Sequence, residues 1–109
     1  MDKRKIRRKR VRLAVHMEPG GVVTMTGDLC PGGVFLYSAR VHKPGTAVRL
    51  VLRTPSGLVE AGGVVRWSKR VPAQFVGHVR GGMGIEFVWL SEDLRHYLAA
   101  LEPVLQPPA

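Results

Sequence analysis

The sequence predicts a small all-β domain, a barrel or a sandwich, closed by one short C-terminal helix. Three observations predict it. Six runs of about 5–10 residues are rich in β-branched or alternating apolar residues. Glycine- or proline-containing turn signals separate most of them. One stretch, near the C-terminus, carries apolar residues at helical spacing. Many short strands joined by frequent turns belong to sheets that close on themselves or pack in two layers, and a single terminal helix can cover an open end.

The first strand begins near Arg12 and runs through Leu13-Ala14-Val15-His16-Met17 until Pro19-Gly20-Gly21 breaks it. Val22-Val23-Thr24-Met25-Thr26 is β-branched and forms the second. The third covers 33–38, with Phe35 and Tyr37 on one face and Val34 and Leu36 on the other. After the turn at Pro44-Gly45, residues 47–53 alternate cleanly: Val48, Leu50 and Leu52 face inward, and Arg49, Val51 and Arg53 outward. Pro55-Ser56-Gly57 makes a hairpin into a long strand, 58–67, whose central Gly62-Gly63 points to a bulge or a sharp coil. Along this strand Val59, Ala61, Val65 and Trp67 alternate, which puts Trp67 in the core or at a barrel mouth; a stacking surface at the strand end is the other reading. Residues 69–79 form a loop, and 82–89 the last strand, with Met83, Ile85 and Phe87 on one side. Ser91 caps a helix with Glu92 and Asp93 in its first turn, where acids suit the helix dipole. Leu94, Leu98 and Leu101 form its apolar stripe, Trp89 is expected to pack beneath it, and Pro103 to end it. The expected organisation is a mobile basic arm over 1–10, a barrel plus helix over 11–102 and a tail over 103–109.

Charge is distributed unevenly. Of a net +9, residues 1–12 hold eight Lys/Arg against one acid, +7, and the remainder nine against seven, +2. A nearly neutral body with an intensely basic arm points to an anionic partner for the arm: nucleotide, nucleic acid or acidic lipid. Cys30 is the only cysteine, so no internal disulfide exists, which fits a reducing, cytoplasmic setting. No apolar run approaches the ~20 residues a membrane span needs, and no apolar segment follows the N-terminal charges as a secretory signal would require. No His/Cys cluster has metal-ligand spacing; His16, His42, His78 and His96 are scattered. Neither a Ser/His/Asp nucleophile pattern nor a G-x-x-x-x-G-K phosphate loop is present, so an enzyme and a bound cofactor are not expected.

The stretch Asp28-Leu29-Cys30-Pro31-Gly32-Gly33 joins the second and third strands and holds more chemistry than a hairpin turn needs. Asp28 can accept from N–H donors, the residue-30 side chain can reach a further polar atom, and Gly33 lets a flat group lie against the main chain. The alternative is a plain six-residue turn. Upstream, the arm contains Arg7-Arg8-Lys9-Arg10-Val11-Arg12, and so Arg8-x-x-x-Arg12. With Asp28-x-Cys30-x-x-Gly33 this resembles the PilZ domain family, marked by R-x-x-x-R in an N-terminal loop and [D/N]-x-S-x-x-G after the second strand. Gly63-Val64-Val65-Arg66-Trp67 is similar to that family's fifth strand, and Gly82-Met83-Gly84-Ile85-Glu86-Phe87 to its closing strand.

The resemblance, which covers roughly 7–102, implies a six-stranded antiparallel β-barrel with a C-terminal α-helix that binds cyclic di-GMP, a bacterial second messenger. By the family pattern Arg8 and Arg12 carry guanine and phosphate contacts, Asp28 fixes a guanine edge, and Gly33 allows close approach. Arg7 would add a third arginine at the phosphates and so favour a stacked pair of ligands. Trp67 would be a stacking surface. The pattern is chemically sensible: the planar guanidinium pairs with phosphate or guanine O6/N7 and stacks on a base, while an ionised carboxylate accepts from guanine N1–H and N2–H. Cys30 departs from the family's serine, and a thiol is a weaker hydrogen-bonding group.

The implied function is a cytoplasmic effector whose arm becomes ordered on the ligand and which signals to an unidentified protein partner. Two alternatives stand beside it. One is a degenerate PilZ adaptor that binds protein without nucleotide, consistent with Cys30. The other is a small barrel that binds nucleic acid, which the arm favours but the nearly neutral body and the lack of an aromatic platform in the strand pattern disfavour.

Overall fold

A computed structural model describes residues 11–72, 74 and 81–101. Six strands, β1 (Ala14–Glu18), β2 (Val22–Cys30), β3 (Gly33–Tyr37), β4 (Ala47–Thr54), β5 (Gly57–Lys69) and β6 (Gly82–Leu90), precede one helix, α1 (Glu92–Leu101). The strands close into a barrel in the order β1-β2-β3-β6-β5-β4, with β4 returning to β1. Every pairing is antiparallel. The alternation expected of 47–53 is present: Val48, Leu50 and Leu52 lie in the core and the intervening residues turn outward. Met17, Leu36, Leu50, Leu52 and Met83 are completely buried. The core is thus built from inward positions of successive strands rather than from one apolar segment.

The helix seals one end. The Ser91 hydroxyl accepts from Leu94 N at 3.2 Å, which caps the first turn, and accepts from Glu60 N at 3.3 Å, which ties the cap to β5. Leu94 and Leu98 complete the core, with Leu101 packed against its edge. The proposed stop at Pro103 lies outside the described residues.

Three expectations are corrected, all where strand registry slips. The stretch 28–33 is not a six-residue turn: β2 continues through Cys30, which pairs with Gly33, so only Pro31 and Gly32 turn. Its irregularity is a bulge between Thr26 and Leu29 in the pairing with β3. Trp67 is neither in the core nor at a mouth. Val65 pairs with Ile85 and Trp67 with Gly84, so Arg66 is the extra residue, and the phase flips to leave Trp67 outside and 49% exposed. Trp89 does not pack beneath the helix. The register shift expected at Gly62-Gly63 is there, but its extra residue is Val88 on the facing strand, which turns Trp89 outward to lie across Gly62.

Thr26 fastens the start of the barrel. Its buried hydroxyl accepts from Leu13 N at 2.9 Å and donates to Val11 O, while Thr26 N donates to Leu13 O at 2.9 Å. Thr26→Val keeps the shape but leaves the Leu13 N–H without an acceptor. It is expected to cost ~1–3 kcal/mol of stability, read as a lowered urea midpoint.

Candidate functional site

The two bulges serve one place. The β2 bulge carries Asp28, the β5 bulge carries Arg66 and turns Trp67 outward, and all three line a pocket of about 180 Å³ on the barrel's outer wall. Gly33, Phe35 and Gly84 complete the part of the wall that matters here. Asp28 comes from one side of the pocket and Arg66 and Trp67 from the other, with β3 and β6 between them.

Gly84 makes the arrangement possible. It pairs with Phe35 on β3 and with Trp67 on β5, so it stands between two outward-facing rings with no side chain of its own. The rings meet across it, with centroids 5.3 Å apart and planes 18° from parallel. A Cβ on Gly84 would fall 2.2 Å from the Trp67 Nε1. Tyr37 braces Phe35 edge-on at 4.9 Å, and Gly27 in the β2 bulge leaves room for both rings. An aromatic platform therefore exists, which corrects the expectation that none would. No single strand discloses it, because its rings come from β3 and β5 and meet over a glycine of β6.

Arg66 is half of an ion pair. Its Nε donates to Glu86 Oε1 at 2.5 Å, with both side chains well exposed. Because Glu86 engages Nε, the guanidinium is steadied through one edge while its terminal nitrogens remain able to serve as a donor fork. An acceptor carboxylate, a donor fork and a flat indole around one pocket suit a planar, hydrogen-bonding, anionic group.

The site residues expected from sequence separate into three sets. Asp28, Gly33 and Trp67 are brought together at the pocket. Arg12 is exposed one residue before Leu13, which Thr26 pins, and Cys30 is half-buried at the end of β2; neither is among the lining residues. Arg7 and Arg8 lie outside the described residues. Arg66, Phe35 and Gly84 were not anticipated as site residues. The available signal was the alternation itself: the outward phase of Phe35 was legible, whereas that of Trp67 depends on a bulge. Gly33 also has a reason within the barrel. A Cβ there would stand 2.3 Å from the Ile85 carbonyl oxygen. No group of metal-ligating side chains occurs among the described residues.

Comparison with known proteins bears on this geometry. A family model described as PilZ domain matches residues 2–101. Among solved structures, that of the Bacillus subtilis inhibitor of motility (MotI/DgrA) is similar, with a TM-score of 0.74 at 19% sequence identity, over 92% of this chain and 49% of that one. The chain thus spans about half the length of that structure, and the likeness is one of fold. No curated protein matches significantly.

Proposed function

The chain belongs to the PilZ domain family, and we propose that it is a cyclic di-GMP receptor whose pocket on the outer barrel wall takes a guanine of the ligand while the arginines of the arm take its phosphates. The observation that carries this reading is the convergence of Asp28, Arg66 and the Phe35–Trp67 stack on one pocket, at the β2 bulge beside the point where Thr26 fastens the root of the arm. Asp28 accepts from guanine N1–H and N2–H, and Trp67 offers its exposed face for stacking, worth ~1–3 kcal/mol per base. Arg12, Arg8 and Arg7 bring cationic forks from the neighbouring arm. Phosphate neutralises a segment that otherwise repels itself, so the arm becomes ordered across the barrel and presents a new surface to a protein partner. Isothermal titration with cyclic di-GMP, with single-stranded and duplex DNA as controls, tests the assignment; wild-type protein that gives no heat at millimolar ligand sinks it.

Cys30 sets the affinity rather than the presence of the site. A hydroxyl in its place offers a better hydrogen bond, so Cys30→Ser is expected to tighten binding by ~0.5–1.5 kcal/mol, roughly up to tenfold. An unchanged or weaker dissociation constant would mean that the thiol meets the ligand in another way, or not at all.

Two ligands per chain are expected, bound as a stacked pair. Two cyclic dinucleotides bring four phosphates, more than Arg8 and Arg12 can offset, and Arg7 with Lys9 or Arg10 supplies the remaining charge. The fitted stoichiometry should be near two for wild type and near one for Arg7→Leu. A wild-type ratio near one, or a variant that still takes two, refutes the pair.

A further inference from the structure

We infer that the barrel carries a second anion site, independent of the pocket above, at the end opposite the helix, and that it takes a phosphate-class oxyanion through Arg40 and Arg70, with His42 in its wall. That end is where β1 runs out, β3 leads into the segment before β4, and β5 finishes beside the start of β6. Between these elements lies a pocket of about 290 Å³, lined by Gly20, Arg40, His42 and Arg70 among others. The basic groups come from two segments far apart in sequence, so the cluster is a product of the fold rather than of a charge run.

Three features argue for a ligand. First, no acid is among the described lining residues. Neither arginine has an acidic partner among the described residues, whereas Arg49 and Arg66 are met by Glu60 and Glu86. Glu18, two residues before Gly20, is held by His16 at 2.7 Å and by Gly21 N at 3.3 Å. Two guanidiniums brought to one pocket repel unless an anion joins them. Second, the backbone there is fixed in advance. The Ser38 hydroxyl donates to Arg40 O at 2.6 Å and accepts from Arg40 N at 3.0 Å; Ser38 N donates to Gly81 O at 3.1 Å, and His42 N to Met83 Sδ at 3.2 Å. Little ordering therefore remains to be supplied on binding. Third, the donors fit. The His42 Nε2 donates to Pro19 O at 2.8 Å, which fixes the ring as part of the wall and leaves the anion to the arginines. The two guanidinium groups have only one polar contact between them among the described residues, Arg40 Nη2 to Gly20 O at 3.4 Å. Their forks match the oxygen geometry of a phosphate.

The same chemistry is carried by a free phosphorylated metabolite and by a phospholipid headgroup, and the test separates them. Amide and His-ring shifts of the full chain are followed by NMR as pyrophosphate is added at constant ionic strength. In parallel, the protein is sedimented with phosphatidylcholine vesicles containing or lacking phosphatidic acid. Wild type is compared with Arg40→Gln/Arg70→Gln, which exchanges two exposed side chains and leaves the arm intact. The expected result is a saturable shift at Gly20, Arg40 and His42 that weakens roughly tenfold or more in the double variant. A wild-type excess on phosphatidic acid vesicles assigns the phosphate to lipid; equal sedimentation with the pyrophosphate shift intact assigns it to a free ligand. Shifts that do not saturate, or that persist unchanged in the double variant, overturn the site. The Trp67 indole resonance reports the other pocket, so a pyrophosphate response there is told apart from one at Arg40 and His42.

Discussion

Asp28→Ala is expected to weaken cyclic di-GMP binding by at least ~1.5–3 kcal/mol, roughly ten- to a hundredfold, and Arg8→Ala by a similar amount. The two losses have different origins. Asp28 sits on a bulge in β2 and reaches the pocket because registry with β3 slips there; without its carboxylate the guanine N1–H and N2–H leave water and find no acceptor. Arg8 is expected to act from the arm, its fork meeting phosphate or guanine O6/N7. The distinction is measurable. Loss at Arg8 should shrink as salt rises, since exposed charges are screened, while loss at Asp28 should vary less because its contact is to a neutral base edge. Titration calorimetry at low and high salt separates them. An Asp28→Ala protein that binds as tightly as wild type would remove the guanine-edge assignment whatever the arm does. A ligand response matched by single-stranded DNA would instead favour the reading as a nucleic-acid-binding barrel.

How much of this was legible in the sequence follows from where strand phase is simple. The barrel's inner face was legible, because Val48, Leu50 and Leu52 alternate without interruption and Leu94 and Leu98 recur at helical spacing. The outer wall was less so. Trp67 keeps perfect alternation with Val59, Ala61 and Val65, yet Arg66 is inserted into the ladder and the indole emerges on the opposite face. Trp89 errs in the same way through Val88. One extra residue reverses every later assignment on a period of two, and the sequence of a single strand does not say which strand of a pair carries it. The Phe35–Trp67 stack is hidden for a further reason: it joins strands that are neighbours only through β6, and the residue that permits it, Gly84, is silent by having no side chain. The motif singled out Asp28 and Gly33, both of which line the pocket, but the β-structure running through Cys30 was not legible, since Asp, Pro and Gly all read locally as turn.

Two glycines at the site should fail in opposite ways. Gly33→Ala is expected to damage the barrel itself. The new methyl would stand 2.3 Å from the Ile85 carbonyl oxygen, which is backbone and cannot swing aside, so β3 must draw back from β6. Overpacking of that kind costs ~1–3 kcal/mol or more, and at roughly 4–8 °C per kcal/mol for a domain near this size the melting temperature should fall by several degrees at least. Gly84→Ala meets a side chain instead. Its methyl would stand 2.2 Å from Trp67 Nε1, and an indole with 49% of its surface exposed can rotate away. The stability cost should then not exceed the ~0.5–1.5 kcal/mol of one aromatic pair, while the displaced ring forfeits base stacking of ~1–3 kcal/mol. Thermal unfolding and ligand titration on both variants decide the matter together. Gly84→Ala should unfold near wild type and bind poorly. Should it bind like wild type, Trp67 is not a stacking surface. Should Gly33→Ala keep its melting temperature and lose only the ligand, then the absent side chain at 33 serves the approach of the nucleotide and not the closure of the barrel.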